Sequence, residues 1–420
     1  MYLIFLLKNK LFKIVIENLL KLEIAGEKMK VYDSIVVGAG PAGLLAARKL
    51  AENNVEVLLL EKDFELGKKP CAEAISERGL IDAEIPIESS FIVNEIFGAK
   101  VYPPNEERFV EISRSGEHSW KGYIIDKPKF LKKLLDVAVS KGVEAKLGSK
   151  VIDVKRENKF MKVFVKKNEK IESLTAKIVL GCDGYASLIT KKFFNSTKIE
   201  YISCFQYTLS KCNIEDEHTL MFYLGSLIAP LGYLWIFPKG NGVANVGVGV
   251  RKGSPKFYLD NFIQKHSSIF KDSKILSFGG APVIISGQLP KITDDNLMIC
   301  GEAAGQVIPF TGAGIHTSIV AGKIAGAVAA EAIKNNELTE KALITYKKRF
   351  DEIFGKNIEK SLKAMRIFEK LSDEDLNKLA EVLSGEDIID LANGLNIEKV
   401  AKKLFSHPIL AVKIAKALLT

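Results

Sequence analysis

Three glycines with fixed spacing, Gly38, Gly40 and Gly43, lie between an apolar segment, 32–37, and a segment with helical spacing, 44–53. The first glycine permits a tight turn, the second lets a ligand approach the backbone, and the third lets a helix pack closely on a strand. The N-terminus of that helix offers free N–H groups and a positive dipole to phosphate. The pattern therefore predicts a site for the diphosphate of a dinucleotide.

A second apolar segment, 55–60, ends at Glu61. A carboxylate at the end of the second strand can accept hydrogen bonds from ribose hydroxyls. Strand, helix, strand and terminal acid stand in the order of a Rossmann-type unit. This order predicts a bound dinucleotide, but it does not separate FAD from NAD.

Two later units decide between these cofactors. Asp183 and Gly184 follow an apolar strand, and Gly301, Glu302 and Gly305 follow another, ahead of a glycine-rich helix that begins near residue 314. A dehydrogenase that binds only NAD has no need of such a late unit, whereas the longer FAD does. An acid near 302 can hold the ribityl chain, and a helix N-terminus can stabilise negative charge on the reduced ring. The sequence therefore predicts FAD.

Aromatic and sulfur side chains supply further candidates. Tyr233, Trp235 and Phe237 alternate, so they share one face of a strand. That face is either an aromatic wall for a long apolar chain or a core surface that packs a helix. Cys71 is either a redox partner of the flavin or a buried, inert thiol. His316 is expected to be a surface or capping residue, and no histidine falls in a metal-binding pattern, so no metal is predicted.

Three segments resemble the geranylgeranyl reductase family, which includes the archaeal digeranylgeranylglycerophospholipid reductases and lies within the p-hydroxybenzoate hydroxylase fold. They are K-P-C-A-E-A-I-S at 69–76, P-L-G-Y-L-W-I-F-P at 230–238 and the segment 301–315, which ends in P-F-T-G-A-G-I. The resemblance covers about residues 29–340 and continues weakly beyond them. The aromatic motif is its most specific part.

The resemblance implies which residues meet the cofactor. It places FAD contacts at Ala42, Glu61, Cys71, Ala72, Ala74, Lys127, Val151, Glu302, Gly314 and Ile315. Together with Gly38, Gly40, Gly43 and Asp183 from the motifs, these are the predicted cofactor residues. It also implies Cys71, Tyr233 and Trp235 as catalytic or cavity residues.

The activity implied by the resemblance is saturation of C=C bonds in geranylgeranyl chains of archaeal-type membrane lipid precursors. Reduced FAD would give hydride to one alkene carbon, and Tyr233, Cys71 or water would give a proton to the other. Because an isolated alkene is a poor hydride acceptor, a dry tunnel must position the chain. The electrons would come from an external donor, namely ferredoxin, NAD(P)H or a deazaflavin.

Four residues depart from the family pattern. Ala72 and Ala74 stand where the family often has glycine, Lys127 stands for arginine and loses a bidentate fork, and Glu302 stands for aspartate. These departures put substrate and redox properties in doubt. Glu302 and the two alanines keep one alternative open, a degenerate flavin-binding protein without redox activity. The shared fold leaves a second alternative, an FAD-dependent aromatic monooxygenase acting on a polar substrate, although the aromatic motif argues against it.

The elements that must position these residues predict an α/β fold. We expect a split Rossmann-type FAD-binding domain, an inserted antiparallel β-sheet substrate domain and a C-terminal helical region. The expected FAD-binding domain comprises 29–80, 115–195 and 290–335, the substrate domain 81–114 and 196–289, and the helical region 336–420. Residues 1–28 form an N-terminal extension, and Met29 is a candidate for the native start.

Composition narrows the setting of the protein. The chain has 420 residues, of which 47% are hydrophobic, a formal charge of +9 and five scattered cysteines. Scattered, odd-numbered cysteines favour a reducing, cytoplasmic compartment. The basic charge leaves a peripheral membrane contact open, through residues 1–28 or the apolar stretch 404–419. No nucleic-acid motif accompanies the charge, so nucleic acid is not a predicted partner.

Overall fold

The computed structural model describes residues 30–112, 121–194, 198–396, 399, 400, 402 and 403. The predicted extension 1–28 and the apolar stretch 404–419 lie outside the described residues. None of the helices that the structure describes is both long and apolar enough to cross a membrane.

The first sheet unites the three Rossmann-type pieces. Among the described residues it has eight strands, with β17, β18, β11, β1, β2 and β8 side by side and β10 and β9 added beyond β11. β1 pairs with β2, β2 with β8 and β11 with β18 in parallel. The bounds are Val31–Val37 (β1), Val57–Leu60 (β2), Glu144–Lys146 (β8), Lys150–Glu157 (β9), Phe160–Lys167 (β10), Lys170–Gly181 (β11), Thr293–Asp294 (β17) and Leu297–Ile299 (β18). The prediction of one sheet interrupted by insertions is confirmed.

The second sheet has seven strands within the described ranges, in the order β16, β12, β15, β14, β13, β5 and β6. It is antiparallel, as predicted, except that β13 and β5 pair in parallel. A hairpin at Asn241 and Gly242 joins β14 to β15. The bounds are Gly98–Tyr102 (β5), Val110–Ile112 (β6), Tyr201–Ser210 (β12), Thr219–Tyr223 (β13), Tyr233–Gly240 (β14), Val243–Val250 (β15) and Lys274–Ile284 (β16).

A small third sheet, in the part of the chain that is described, combines two strands of the predicted FAD-binding segments with one strand of the predicted substrate segments. It consists of Ala74–Ser76 (β3), Gly122–Ile125 (β7) and Ile92–Ile96 (β4), all antiparallel. β4 therefore pairs with β7, a strand of the predicted FAD-binding segments, although β4 falls inside the segment 81–114 that we assigned to the substrate domain. The domain boundaries themselves remain predictions.

The helices cover the sheets and extend the chain at its C-terminal end. Their bounds are Pro41–Glu52 (α1), Glu77–Asp82 (α2), Lys127–Ser140 (α3), Leu188–Phe193 (α4), Pro255–Lys265 (α5), Ser267–Phe270 (α6), Ile315–Lys334 (α7), Glu340–Leu343 (α8), Thr345–Phe350 (α9), Lys356–Phe368 (α10), Asp373–Val382 (α11) and Gly385–Asn393 (α12). The segment Asp351–Gly355 between α9 and α10 forms a π-helical turn.

Two glycines bring α1 and α7 into close contact. A Cβ added at Gly322 would lie 2.2 Å from the carbonyl oxygen of Ala42, and one added at Gly326 would lie 2.5 Å from that of Ala46. Only a residue without a side chain permits this approach. As a result, the N-termini of both helices lie beside the carboxyl ends of β1, β11 and β18.

Candidate functional site

A cavity of about 1440 Å³ lies between the carboxyl ends of the first sheet and one face of the second sheet. It contains all of the predicted site residues except Gly43. Those lining it are Gly38, Gly40, Ala42, Glu61, Cys71, Ala72, Ala74, Lys127, Val151, Asp183, Tyr233, Trp235, Glu302, Gly314 and Ile315. Residues separated by more than 270 positions along the chain therefore meet at one site.

The glycine motif forms one end of the cavity. Gly38 has a φ of +101°, and a Cβ there would lie 2.4 Å from the carbonyl oxygen of Cys182. A Cβ at Gly43 would lie 1.8 Å from the carbonyl oxygen of Gly38, so Gly43 serves the packing of α1 on β1. Gly40 differs, because a Cβ there would meet nothing within 4 Å and its φ of −75° suits any residue. The space beside Gly40 is the space that a diphosphate needs.

Two acids border the same end. Glu61 accepts hydrogen bonds from the backbone N–H of Ala39 at 2.7 Å and of Asp63 at 3.0 Å, which fix its carboxylate at the end of β2. Asp183 accepts one from the N–H of Leu188 at 2.8 Å through Oδ2, while its buried Oδ1 has no protein partner. Burial raises the pKa of Asp183 more than these hydrogen bonds lower it. An orphaned carboxylate oxygen points to a polar ligand beside it.

A salt bridge crosses the middle of the cavity. The Lys69 ammonium lies 2.6 Å from a carboxylate oxygen of Glu302, and the same ammonium lies 5.0 Å from the ring centre of Tyr185. Lys127, predicted to contact the flavin, donates from its ammonium to the carbonyl of Lys69 at 2.5 Å. The longer carboxylate of Glu302 thus bonds to Lys69, and Lys127 supports the backbone that carries Lys69.

The segment 69–76 is held from the second sheet. Glu73, with a φ of +69°, accepts hydrogen bonds from the N–H of Lys127 at 3.1 Å, from Asn245 at 2.9 Å and from the Lys239 ammonium. Gln206 donates to the carbonyl of Cys71 at 3.1 Å. The side chains of β12, β14 and β15 therefore fix the position of the predicted flavin-contacting loop.

The aromatic residues of β14 form one wall of the cavity. Tyr233, Trp235 and Phe237 lie on the same face, as predicted, and they cluster with Ala72 and Ala74, whereas the alternate residues of β14 belong to the core on the other face. Trp235 and Phe237 are 7% and 6% exposed. These rings are therefore both buried and cavity-lining.

A glycine on the neighbouring strand makes room for this wall. On β15, Val246, Val248 and Val250 pack into the core of the second sheet, while Gly247 faces the cavity side. A Cβ at Gly247 would lie 2.3 Å from Cζ2 of the Trp235 ring. The alternation V-G-V-G-V at 246–250 was the sequence pattern that could have indicated this space for the Trp235 ring.

Tyr233 and two thiols lie close together beside the wall. The Tyr233 hydroxyl donates to the carbonyl of Thr311, and burial raises the pKa of Tyr233 well above its usual value. Burial also raises the pKa of Cys204 to about 12. The Cys71 sulfur accepts from the N–H of Glu73 at 3.3 Å. Tyr233 and Cys204 therefore remain protonated at neutral pH.

The C-terminal helices close the apolar part of the cavity. Their contribution was not predicted, because amphipathic helical spacing does not say which surface an apolar face covers. The lining residues from this region include Phe354, Met365, Phe368, Leu376, Leu379, Leu383 and Ile388. His316, at the start of α7, pairs with Asp82 at 2.7 Å and is half-buried rather than a free surface residue.

Comparison with known proteins identifies the family to which this chain belongs. A family model described as geranylgeranyl reductase catalytic domain matches residues 200–283, and one described as FAD dependent oxidoreductase matches residues 33–192. Digeranylgeranylglycerophospholipid reductase 2 of Methanopyrus kandleri is 37% identical over 406 residues, covering 92% of this chain and 99% of that protein. The chain belongs to the geranylgeranyl reductase family.

Further members agree with this assignment. Digeranylgeranylglycerophospholipid reductase of Methanosarcina acetivorans is 38% identical over 84% of this chain and 88% of its own length. The crystal structure of a geranylgeranyl bacteriochlorophyll reductase-like protein from Thermoplasma acidophilum superposes with a TM-score of 0.81 at 31% identity, covering 93% of this chain and all of the other. Like the other members, the chain is an FAD-dependent oxidoreductase.

The residues present fit FAD. The N-termini of α1 and α7, capped by Gly40 and Gly314 without side-chain hydrogen bonds, leave their N–H groups for phosphate and for the flavin ring. Glu61, at the end of β2, would bind the ribose, and Asp183 offers an unpartnered oxygen. Sequence reasoning named these residues but missed Lys69, Glu73, Gln206, Lys239 and Asn245 as their supports. Lys69 and Glu73 lie within the segment 69–76 that carries the family resemblance, whereas Gln206, Lys239 and Asn245 carried no local sequence signal.

Proposed function

We propose that this protein is an FAD-dependent reductase that saturates C=C bonds of geranylgeranyl chains in archaeal-type membrane lipid biosynthesis. The observation that carries the proposal is the continuity of the cavity. Its dinucleotide end is polar and glycine-lined, and it runs directly into an apolar volume walled by β14 and the C-terminal helices. A long prenyl chain fits such a volume, with one end beside the cofactor.

Bound and reduced, FAD supplies the hydride for this reaction. The protein positions the substrate and excludes water from the site. The aromatic face of β14 holds the chain beside segment 69–76, and the apolar helices exclude water, so that an alkene carbon is kept near the flavin position long enough to react. The Tyr233 hydroxyl keeps its proton and is directed at Thr311. We propose Tyr233, Cys71 or water as the source of the proton for the second alkene carbon; the Tyr233 hydroxyl would have to leave its hydrogen bond to Thr311 to supply it.

The aromatic monooxygenase alternative has less support from the geometry, because that reading required a polar substrate and this cavity is mainly apolar. We also infer that electrons reach the flavin from outside the chain, from one of the three donor classes named above. Anaerobic stopped-flow reduction by each donor in turn would identify it.

A peripheral membrane contact follows from the proposed substrate. Leu227 is 87% exposed on the loop 224–232, whose neighbouring residues Ala229 and Leu231 line the cavity. We infer that this loop meets the lipid surface. Flotation with vesicles should be weakened by Leu227→Asp and unchanged by Val139→Asp, a substitution at a half-exposed position on α3. Equal flotation of both variants would contradict this contact.

The central experiment is anaerobic. The full chain, loaded with FAD and reduced with dithionite, is mixed with a digeranylgeranyl glycerophospholipid, and flavin reoxidation is followed together with the mass of the lipid. We expect two hydrogens to be gained for each reoxidised flavin. A flavin that stays reduced beside unchanged lipid would contradict the proposed function, and NADPH with oxygen would then test the monooxygenase alternative.

A further inference from the structure

A second, smaller pocket of about 480 Å³ opens beside the main cavity. It lies where the second sheet meets the end of α10. Four cationic side chains, Arg251, Lys252, Arg366 and Lys370, line it together with two carboxylates. The pocket thus carries an excess of two positive charges, although the cavity beside it is mainly apolar.

The two arginines are held in place by the two acids. Arg366 donates to Glu200 at 2.8 Å and to Glu369 at 3.0 Å, and Arg251 donates to Glu200 at 2.5 Å and also to Glu369. Each guanidinium has five N–H donors and uses two of them in this ring. The ring therefore fixes the floor of the pocket, and the ammonium groups of Lys252 and Lys370, both exposed, provide the excess charge.

The pocket and the cavity share part of their lining. Leu231 and Glu369 belong to both. An apolar chain lying in the main cavity would therefore leave it beside a cationic surface. This arrangement fits a molecule with a long apolar tail and an anionic head, since burial of the tail alone would leave the charge in solvent.

We propose that this pocket, which we call the headgroup pocket, binds the phosphate group of the glycerophospholipid substrate. The proposal rests on the proposed function for the identity of the tail. Lys252 and Lys370 attract the phosphate, and the arginine–glutamate ring sets its distance from the cavity mouth. The pocket would thus fix how far the prenyl chain reaches toward the flavin.

The test compares two lipids that differ in one group, digeranylgeranylglyceryl phosphate and digeranylgeranylglycerol. Their dissociation constants for the oxidised holoprotein are measured by fluorescence quenching, and kcat/KM for each is measured anaerobically. We expect the wild type to prefer the phosphate, and Lys252→Gln with Lys370→Gln to reduce this preference about 10-fold, because each exposed charge contributes modestly. The preference should also shrink as salt is raised.

Lys167→Gln with Lys170→Gln is the matched control. It removes the same charge from exposed positions on the β10–β11 hairpin, which line neither cavity, and it should leave the preference unchanged. Inorganic phosphate at millimolar concentration serves as a second probe. Competition with the phosphorylated lipid in the wild type, lost in the pocket variant, would identify the phosphate itself as the recognised group.

Different failures are distinguishable. If the two lipids bind with the expected preference but neither is reduced, the proposed function is wrong and the headgroup pocket stands. If the phosphorylated lipid is reduced but the pocket variant keeps the wild-type preference, the headgroup pocket is wrong. Arg366 and Lys370 would then only complement the C-terminal end of α10.

Discussion

The indole N–H of Trp235 and the backbone carbonyl of Cys71 are hydrogen-bonded to the same side chain, the carboxamide of Gln206, at 3.3 and 3.1 Å. Trp235 belongs to the aromatic wall of the cavity, and Cys71 belongs to the segment 69–76 that we predict to contact the flavin. One residue therefore sets the distance between the two halves of the site.

Replacement of Gln206 by leucine should remove the link between Trp235 and the backbone of Cys71. The carbonyl of Cys71 and the N–H of Trp235 would both be left buried without this partner, at a cost of about 1–3 kcal/mol each. We expect kcat/KM for the prenyl lipid to fall about 10-fold or more while FAD is retained. Trp235→Phe, which removes the N–H and one ring but leaves the hydrogen bond from Gln206 to Cys71, should have the smaller effect. Equal kcat/KM for Gln206→Leu and the wild type would show that the bridge does not position the loop.

Gly40→Val tests the cofactor site with little disturbance of the fold. Among the glycines that the structure describes, Gly40 alone combines an ordinary φ with empty space around an added Cβ. We expect the variant to fold with the thermal stability of the wild-type apoprotein but to bind FAD at least about 100-fold more weakly, because the side chain occupies the diphosphate position. FAD titration by fluorescence measures this change, and unaltered affinity would contradict the placement.

Gly322→Ala tests the contact between α1 and α7. Alanine ordinarily stabilises a helix interior by about 1 kcal/mol relative to glycine. Here its Cβ would lie 2.2 Å from the carbonyl oxygen of Ala42, so we expect net destabilisation of about 1–3 kcal/mol and weaker FAD binding. Denaturant unfolding measures the first effect. Ala327→Gly on the same helix is the control, since it should show only the propensity loss.

Gly247→Ala tests the packing of the Trp235 ring against β15. The new methyl group would overlap the indole ring, so we expect a shifted Trp235 emission spectrum and slower reduction of the prenyl lipid. A Trp120→Phe background leaves Trp235 as the sole tryptophan. Val248→Ala, on the opposite face of β15, should lower stability by about 2 kcal/mol without the spectral shift. Identical spectra for Gly247→Ala and its background would place the ring elsewhere.

Glu84 should contribute a pH-dependent part of the stability. Burial raises its pKa, but hydrogen bonds from Lys323 and Lys49 outweigh this and lower the pKa to about 2. A carboxylate with a depressed folded-state pKa stabilises the fold above its unfolded pKa, near 4.3, and this stability is lost as the pH falls toward 2. Glu84→Gln should therefore lower Tm by about 1–4 °C at pH 7.

The difference in Tm between Glu84→Gln and the wild type should shrink as the pH is lowered from 5 to 3. Solvent screens the partly exposed carboxylate, which keeps the effect small. Glu88→Gln, in the loop between α2 and β4 with a single lysine partner, is the control and should change Tm less. A Tm difference for Glu84→Gln that does not vary with pH would contradict the assigned ion pairs.

The sequence by itself determined the local parts of the site. Gly38, Gly40 and Gly43 specify a turn through short-range sterics, and the alternation of Tyr233, Trp235 and Phe237 specifies one face of a strand, because strand geometry has a period of two. These features depend on neighbouring residues only. For the same reason the three Rossmann-type units and the cofactor class could be predicted before any contact was known.

Only the tertiary structure decided what supports and encloses that site. Lys69 meets Glu302 across 233 positions and Glu73 meets Lys239 across 166, and neither pair has any mark in local sequence. The C-terminal helices are amphipathic in sequence, but an apolar face states only that it must be buried, not against which surface. Their place as the apolar wall of the cavity, and that of the proposed headgroup pocket beside it, follows from long-range packing, in which contact partners are determined by shape and charge rather than by spacing along the chain.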